Sequence, residues 1–146
     1  MDKKLNKCLH TMLANTYALA GLTQAAHWNI VGDNFFQLHA AFGDQYAELF
    51  DSGDVIAEHI RQNDEYTVGG LFQLAYESEI EDAKPTDKGM DLVKLVLDGN
   101  EKALKCILET QAEATKCGDL ETQDLTIRRA LAHKKAIWML KSFLKS

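Results

Sequence analysis

Five histidines and 22 acidic residues in a chain of 146 invite a search for metal-ligating patterns. Many helical bundles that hold two irons carry Glu-x-x-His on two helices and a lone Glu on each of the others. That pattern is absent here: the residues three before His27, His39, His59 and His133 are Gln24, Phe36, Ile56 and Ala130. A site of that kind within one bundle is excluded. A different set remains. His27 lies about five residues before the turn Gly32-Asp33-Asn34, and His39 about five residues after it. On an antiparallel helix pair the two sit at one level. Asp54 and Glu58 are four apart, so both carboxylates share a helix face. His39 and Asp54, however, are 15 residues apart, roughly 22 Å at 1.5 Å per residue. The four cannot bind one ion within one chain. A twofold axis that lays a second copy of this helix antiparallel would bring one chain's histidines to the other's carboxylates. The spacing therefore predicts a metal site shared across a dimer interface, or no site.

The elements that must position these residues are helical. Leu5, Leu9, Met12, Leu13, Thr16 and Tyr17 recur at spacings of three and four within a first helix over roughly 4–29. Asn34 followed by Gln37 resembles a capping box opening the second helix. That helix carries Leu38, Phe42, Tyr46, Leu49, Ile56 and Ile60 and fades near residues 62–64. Gly43 and Gly53 lie inside it, each costing about 0.8–1.0 kcal/mol against Ala, which points to close packing at both. Residues 64–86 are too long a connection to be bare loop, and residues 71–76 read as a short helix between Gly69-Gly70 and Pro85. A third helix has Met90, Val93, Leu97, Leu104 and Ile107 on one stripe and Gly118 placed to end it. A fourth carries Leu120, Ile127, Leu131 and Trp138. The expected architecture is all-α: one domain over 1–146, a four-helix bundle with a short extra helix in the long crossover between the second and third helices.

Composition agrees. A chain of this length buries roughly 68–70% of its unfolded surface. With 46% hydrophobic and 26% charged residues it has the composition of a folded domain, and its single proline suits long helices. Three unpaired cysteines, Cys8, Cys106 and Cys117, fit a reducing, cytoplasmic setting. A net charge of −6 argues against nucleic acid or anionic membrane as default partners. From Cys8 to Gly32 the chain has 25 positions without a charge, long enough for a membrane span. Asn15, Thr16, Thr23, Gln24, His27 and Asn29 would be costly there, so the stretch reads instead as a helix covered by its own bundle and by another subunit.

Several runs match a family. His27-Trp28-Asn29, Phe35-Phe36-x-Leu38-His39-x-x-Phe42, Tyr46, Leu49 and Asp54-x-x-Ala57-Glu58 resemble the Dps mini-ferritins (DNA-binding proteins from starved cells). His133, Trp138-Met139-Leu140 and Leu144 are similar to that family's last helix, and Gly118-Asp119 with Asp124 to the acidic segment opening it. The resemblance implies a ferritin-like fold and a hollow homo-dodecamer. It implies ferroxidase sites on twofold axes, with Fe(II) and hydrogen peroxide as substrates and ferric oxide stored inside against oxidative damage. By that likeness His27 and His39 bind iron from one subunit and Asp54 and Glu58 from its partner, Glu58 bridging; zinc would compete for such a donor set.

The sequence also departs from the family pattern. His59 stands where Arg usually follows the bridging Glu. Of the acidic nucleation positions only Asp44 keeps a carboxylate, beside Ala40 and Gly43, which shifts nucleation toward Glu48. Asp119 and Asp124 keep the acidic spacing of the family's threefold pore, but Arg128 and Arg129 stand where another acid is common and could narrow it. Read without the family, Asp119 and Asp124 could serve only the dipole of a helix N-terminus. His133 reads as a packing residue, and His10 and the cysteines as core or surface filler. Two rival functions stand beside the ferroxidase. One is DNA binding through Lys3, Lys4 and Lys7, opposed by the charge of a shell with twelve copies at −6 each and by the lack of a basic tail. The other is a structural helical oligomer without ferroxidase activity.

Overall fold

The computed structural model describes residues 1–82, 86 and 88–145. Five helices follow in order: α1 Lys3–Asn29, α2 Phe35–Gln62, α3 Leu71–Glu77, α4 Gly89–Cys117 and α5 Leu120–Leu144; no strand occurs among the described residues. Short turns make antiparallel hairpins of α1 with α2 and of α4 with α5. The packing of α1 on α4 joins the hairpins, α3 lies on α1, and α2 touches α5 at few points. The proposed stop at Pro85 lies outside the described residues.

The uncharged stretch explains why α1 is central. Its apolar residues, with Ile30 just beyond its end, enter three successive core layers. Leu5, Leu9 and Leu13 meet Ile56, Ile60 and Ile107; Leu19 and Leu22 meet Leu49 and Ala103; Ala26 and Ile30 meet Phe42, Val93, Val96 and Leu140. Burying each Leu, Ile, Val or Phe contributes about 1.5–3 kcal/mol. The buried hydroxyls of α1 are satisfied within the helix: Thr16 and Thr23 donate to the carbonyls of Met12 and Leu19 at 2.8 and 2.7 Å. Asn15 accepts the Glu79 backbone N–H at 2.7 Å and donates to its carboxylate at 2.9 Å, pinning the crossover to α1. No helix among the described residues is long and apolar enough to cross a membrane.

Both glycines of α2 mark close approach. A Cβ at Gly53 would lie 2.5 Å from the Tyr17 ring, and one at Gly43 3.1 Å from the His27 ring. Gly118 ends α4 in the left-handed region at φ 67°, where glycine has no Cβ to clash.

Two expectations fail. Asn34 makes no side-chain cap bond, because its backbone (φ −101°, ψ 18°) is not in the extended form a capping side chain needs. Asp2, by contrast, does cap α1, its Oδ1 accepting from the Lys4 and Leu5 amides at 2.9 and 3.0 Å. On α5, Leu120, Ile127, Leu131 and Trp138 are 46–71% exposed. The inward face is instead Leu125, Arg129, Ala130, His133 and Leu140. Met90 of the α4 stripe is likewise exposed. Periodicity finds the apolar face of a helix but not which neighbour covers it.

Gly53→Ala should cost about 1–3 kcal/mol in denaturant unfolding, since the Tyr17 ring must be displaced. Gly21→Ala, with nothing within 4 Å of its Cβ, should stabilise by about 0.8–1.0 kcal/mol; equal effects would refute the packing assigned to Gly53.

Candidate metal centre

His27 sits in the last turns of α1 and His39 early in α2, where the short turn sets the two helices level. Their rings stack, centroids 3.7 Å apart and planes 16° from parallel. Each ring donates across the hairpin: His27 Nδ1 to the His39 carbonyl at 2.6 Å, and His39 Nδ1 to the His27 carbonyl at 2.8 Å. The His27 carbonyl is among the last four of α1, which lack an intrahelical partner. A carbonyl only accepts, so both Nδ1 atoms carry hydrogen. In the neutral rings both Nε2 atoms then keep a lone pair, the orientation that backbone carbonyls impose on metal-binding imidazoles. Phe35 stacks on the outer face of His39 at 4.9 Å, Tyr46 meets His27 edge-on at 5.2 Å, and Gly43 leaves room for the His27 ring against α2.

Asp54 and Glu58 lie exposed, one turn apart, well down α2 from the histidines. Within one chain the structure joins the histidines to each other and the carboxylates to neither. Glu58 and His59 share a cavity of about 430 Å³ with Asp124 and Arg128, between the end of α2 and the start of α5. His59 Nε2 donates to Thr122 Oγ1 at 2.7 Å, which in turn donates to Asp119 Oδ2 at 2.8 Å. Asp119 also caps α5, its Oδ1 accepting the Thr122 amide at 2.9 Å. Asp124 pairs with Arg128 on the surface at 3.1 Å.

The ferritin-like domain family matches residues 6–146. A "DNA protection during starvation protein" of Listeria monocytogenes is 30% identical over 93% of this chain and 88% of its own length. The chain belongs to the Dps family. An "Uncharacterized low temperature-induced protein" of Nostoc sp. is also 30% identical, over 94% of this chain and 78% of that one. Among solved structures, Dps from Vibrio cholerae superposes with a TM-score of 0.93 at 27% identity, covering 97% of this chain and 89% of that one. Dps from Staphylococcus aureus does so with 0.94 at 26%, covering 98% and 96%. The Vibrio protein is described as a member of a broad superfamily of ferritin-like diiron-carboxylate proteins.

Set in the Dps bundle, the α2–α5 side carries a polar network that the sequence reading missed. The Arg129 guanidinium grips the Glu48 carboxylate, with Nη2 to Oε2 at 3.2 Å, and Ser52 Oγ adds a bond at 2.9 Å. Arg129 Nη2 also donates to His133 Nε2 at 3.3 Å, and His133 Nδ1 donates to Asn100 Oδ1 at 2.9 Å. Arg129 therefore turns into the bundle, its guanidinium committed to Glu48 and His133, while Arg128 stays on the surface. Glu48 is already engaged, while Asp44 stays exposed; both line a cavity of about 290 Å³ together with Arg129 and His133. His133 is a hydrogen-bonding core residue with both ring nitrogens occupied. The signal that could have found this network is Arg129 and His133, four apart on one α5 face.

Burial, reinforced by the Arg129 charge, pushes His133 down to about 4. Desolvation raises Glu48, but the Arg129 guanidinium and the Ser52 hydroxyl more than offset it, leaving the carboxyl below its usual range. A native state with neutral His133 binds fewer protons than the unfolded chain between about 6.5 and about 4. Stability must therefore fall as pH drops through that window, and Glu48 adds loss lower down. The His133 contribution is of order 3 kcal/mol. Unfolding midpoints at pH 7.5 and 5 should separate clearly for the native chain and much less for His133→Gln; an unchanged separation in the variant would count against this assignment.

Proposed function

We propose that the chain oxidises and sequesters iron, acting as a ferroxidase at sites shared between subunits of a homo-oligomer. The observation that carries the reading is the His27–His39 clasp: two imidazoles held by backbone carbonyls with both Nε2 lone pairs uncommitted. Such rigid nitrogen donors lose little freedom on binding a metal. Family membership supplies iron as the metal. Imidazole with carboxylate suits the change from Fe(II) to Fe(III), since hard oxygens favour the ferric product, and zinc competes for the same donors.

Asp54 and Glu58 of a second copy complete the donor set. Trp28, Val31 and Phe36, exposed beside the clasp, together with Leu71 and Phe72 on α3, support a subunit interface there. Twelve subunits in a shell are the assembly proposed by family likeness. Each Fe(II) gives up one electron, and peroxide takes two as its O–O bond breaks and protons complete two waters. Both reactants of radical formation are thereby consumed. Asp119 and Asp124 are proposed to lie along iron entry, and Asp44, with Glu48 when it is released from Arg129, at mineral nucleation. Direct DNA binding is the weaker reading, because a net charge of −6 on every chain opposes a polyanion.

The double variant His39→Ala, Asp54→Ala should keep its helical circular dichroism yet lose peroxide-driven Fe(II) oxidation. The loss should be at least the ~10–100-fold that removing a ligand's outer partner costs. A rate equal to that of the native chain would overturn the proposed site.

A further inference from the structure

Far from the clasp, the start of α1 meets the end of α4. Asp2, Glu113 and Cys117 each offer a donor atom there, and the three atoms lie within 4.8 Å of one another. They come from separate parts of the hairpin pair: Asp2 is the α1 cap, while Glu113 and Cys117 are four apart on the last turn of α4. Each carboxylate is anchored through one oxygen. Asp2 uses Oδ1 for both amides that it caps, and Glu113 takes Lys4 at 2.8 Å and Lys116 at 3.4 Å on Oε2 alone. The second oxygen of each stays uncommitted, Oδ2 on Asp2 and Oε1 on Glu113. Anchoring of one carboxylate oxygen by outer partners is how proteins orient metal-binding carboxylates.

From this donor set we infer a second metal site, built by Asp2, Glu113 and Cys117, that takes a zinc-like divalent cation and staples the start of α1 to the end of α4. One sulfur with two oxygens selects the metal. Calcium and magnesium take all-oxygen sets, whereas zinc accepts thiolate and carboxylate together, at about 2.3 and 2.0–2.2 Å, with a fourth place for water. The exposed Asp2 and Cys117 side chains are free to close on the ion. The negative end of the α4 dipole adds attraction. Lys4 and Lys116 reach the half-buried Glu113 with side chains that are themselves 67% exposed, so they can swing back into water when a divalent charge arrives. Asp2 lies 25 residues before His27 on α1, roughly 37 Å away, so this site is independent of the ferroxidase.

Cobalt(II) distinguishes the two sites, because only this one contains sulfur. Titrated into the assembled full-length protein, Co(II) should raise a near-ultraviolet sulfur-to-cobalt charge-transfer band that saturates at one ion per chain and is bleached by Zn(II). The band should vanish in Cys117→Ser, weaken in Glu113→Gln and persist in Cys8→Ser. In parallel, Zn(II) should protect one thiol per chain from a thiol reagent in the native protein and none in Cys117→Ser. Absence of the band, or its survival unchanged in Cys117→Ser, overturns the site.

Discussion

Two carbonyl oxygens, those of His27 and His39, hold the two imidazoles stacked across the first hairpin. Everything proposed for the chemistry depends on that clasp, and the clasp depends on register. A slip of one residue between α1 and α2 would turn one ring about 100° around its helix. The register is fixed on both sides of the rings. Further along α2, Gly53 admits the Tyr17 ring; at the site itself, Gly43 admits His27; toward the turn, Ile30, Leu38 and Phe42 close the apolar layer. Two glycines that weaken α2 as an isolated helix thus secure its place against α1.

The opposite side of α2 is held differently. There α2 scarcely packs on α5, and a line from the half-exposed Glu48 through the buried Arg129 and His133 to Asn100 bridges three helices. A paired buried charge adds little net stability, but losing one partner strands the other. Such a line specifies which face of α5 turns inward. It also accounts for Arg129 being buried although the neighbouring Arg128 is exposed.

Much of this was legible in the sequence. Gly32-Asp33-Asn34 and Gly118 punctuate the hairpins because backbone freedom is a local property. The level placement of His27 and His39 follows from counting residues about a turn. What the sequence left open belongs to neighbours. The apolar stripe of Leu120, Ile127, Leu131 and Trp138 faces outward, since a helix cannot encode whether its own chain covers it. The Arg129 side chain turned inward because a carboxylate 81 positions away in sequence waits on α2. Asp54 and Glu58 stay apart from the histidines in a single chain, as their spacing requires.

The central claim is that one chain's histidines work with another's carboxylates, and subunit mixing tests it most directly. One batch would carry His27→Ala and His39→Ala, the other Asp54→Ala and Glu58→Ala, each alone unable to speed Fe(II) oxidation by peroxide. Unfolded together and reassembled, they form mixed pairs in which one of the two sites regains both histidines and both carboxylates. The shared-site account predicts that activity reappears only in the mixed assembly. Confirmed mixed assemblies that stay as inactive as either parent would contradict it.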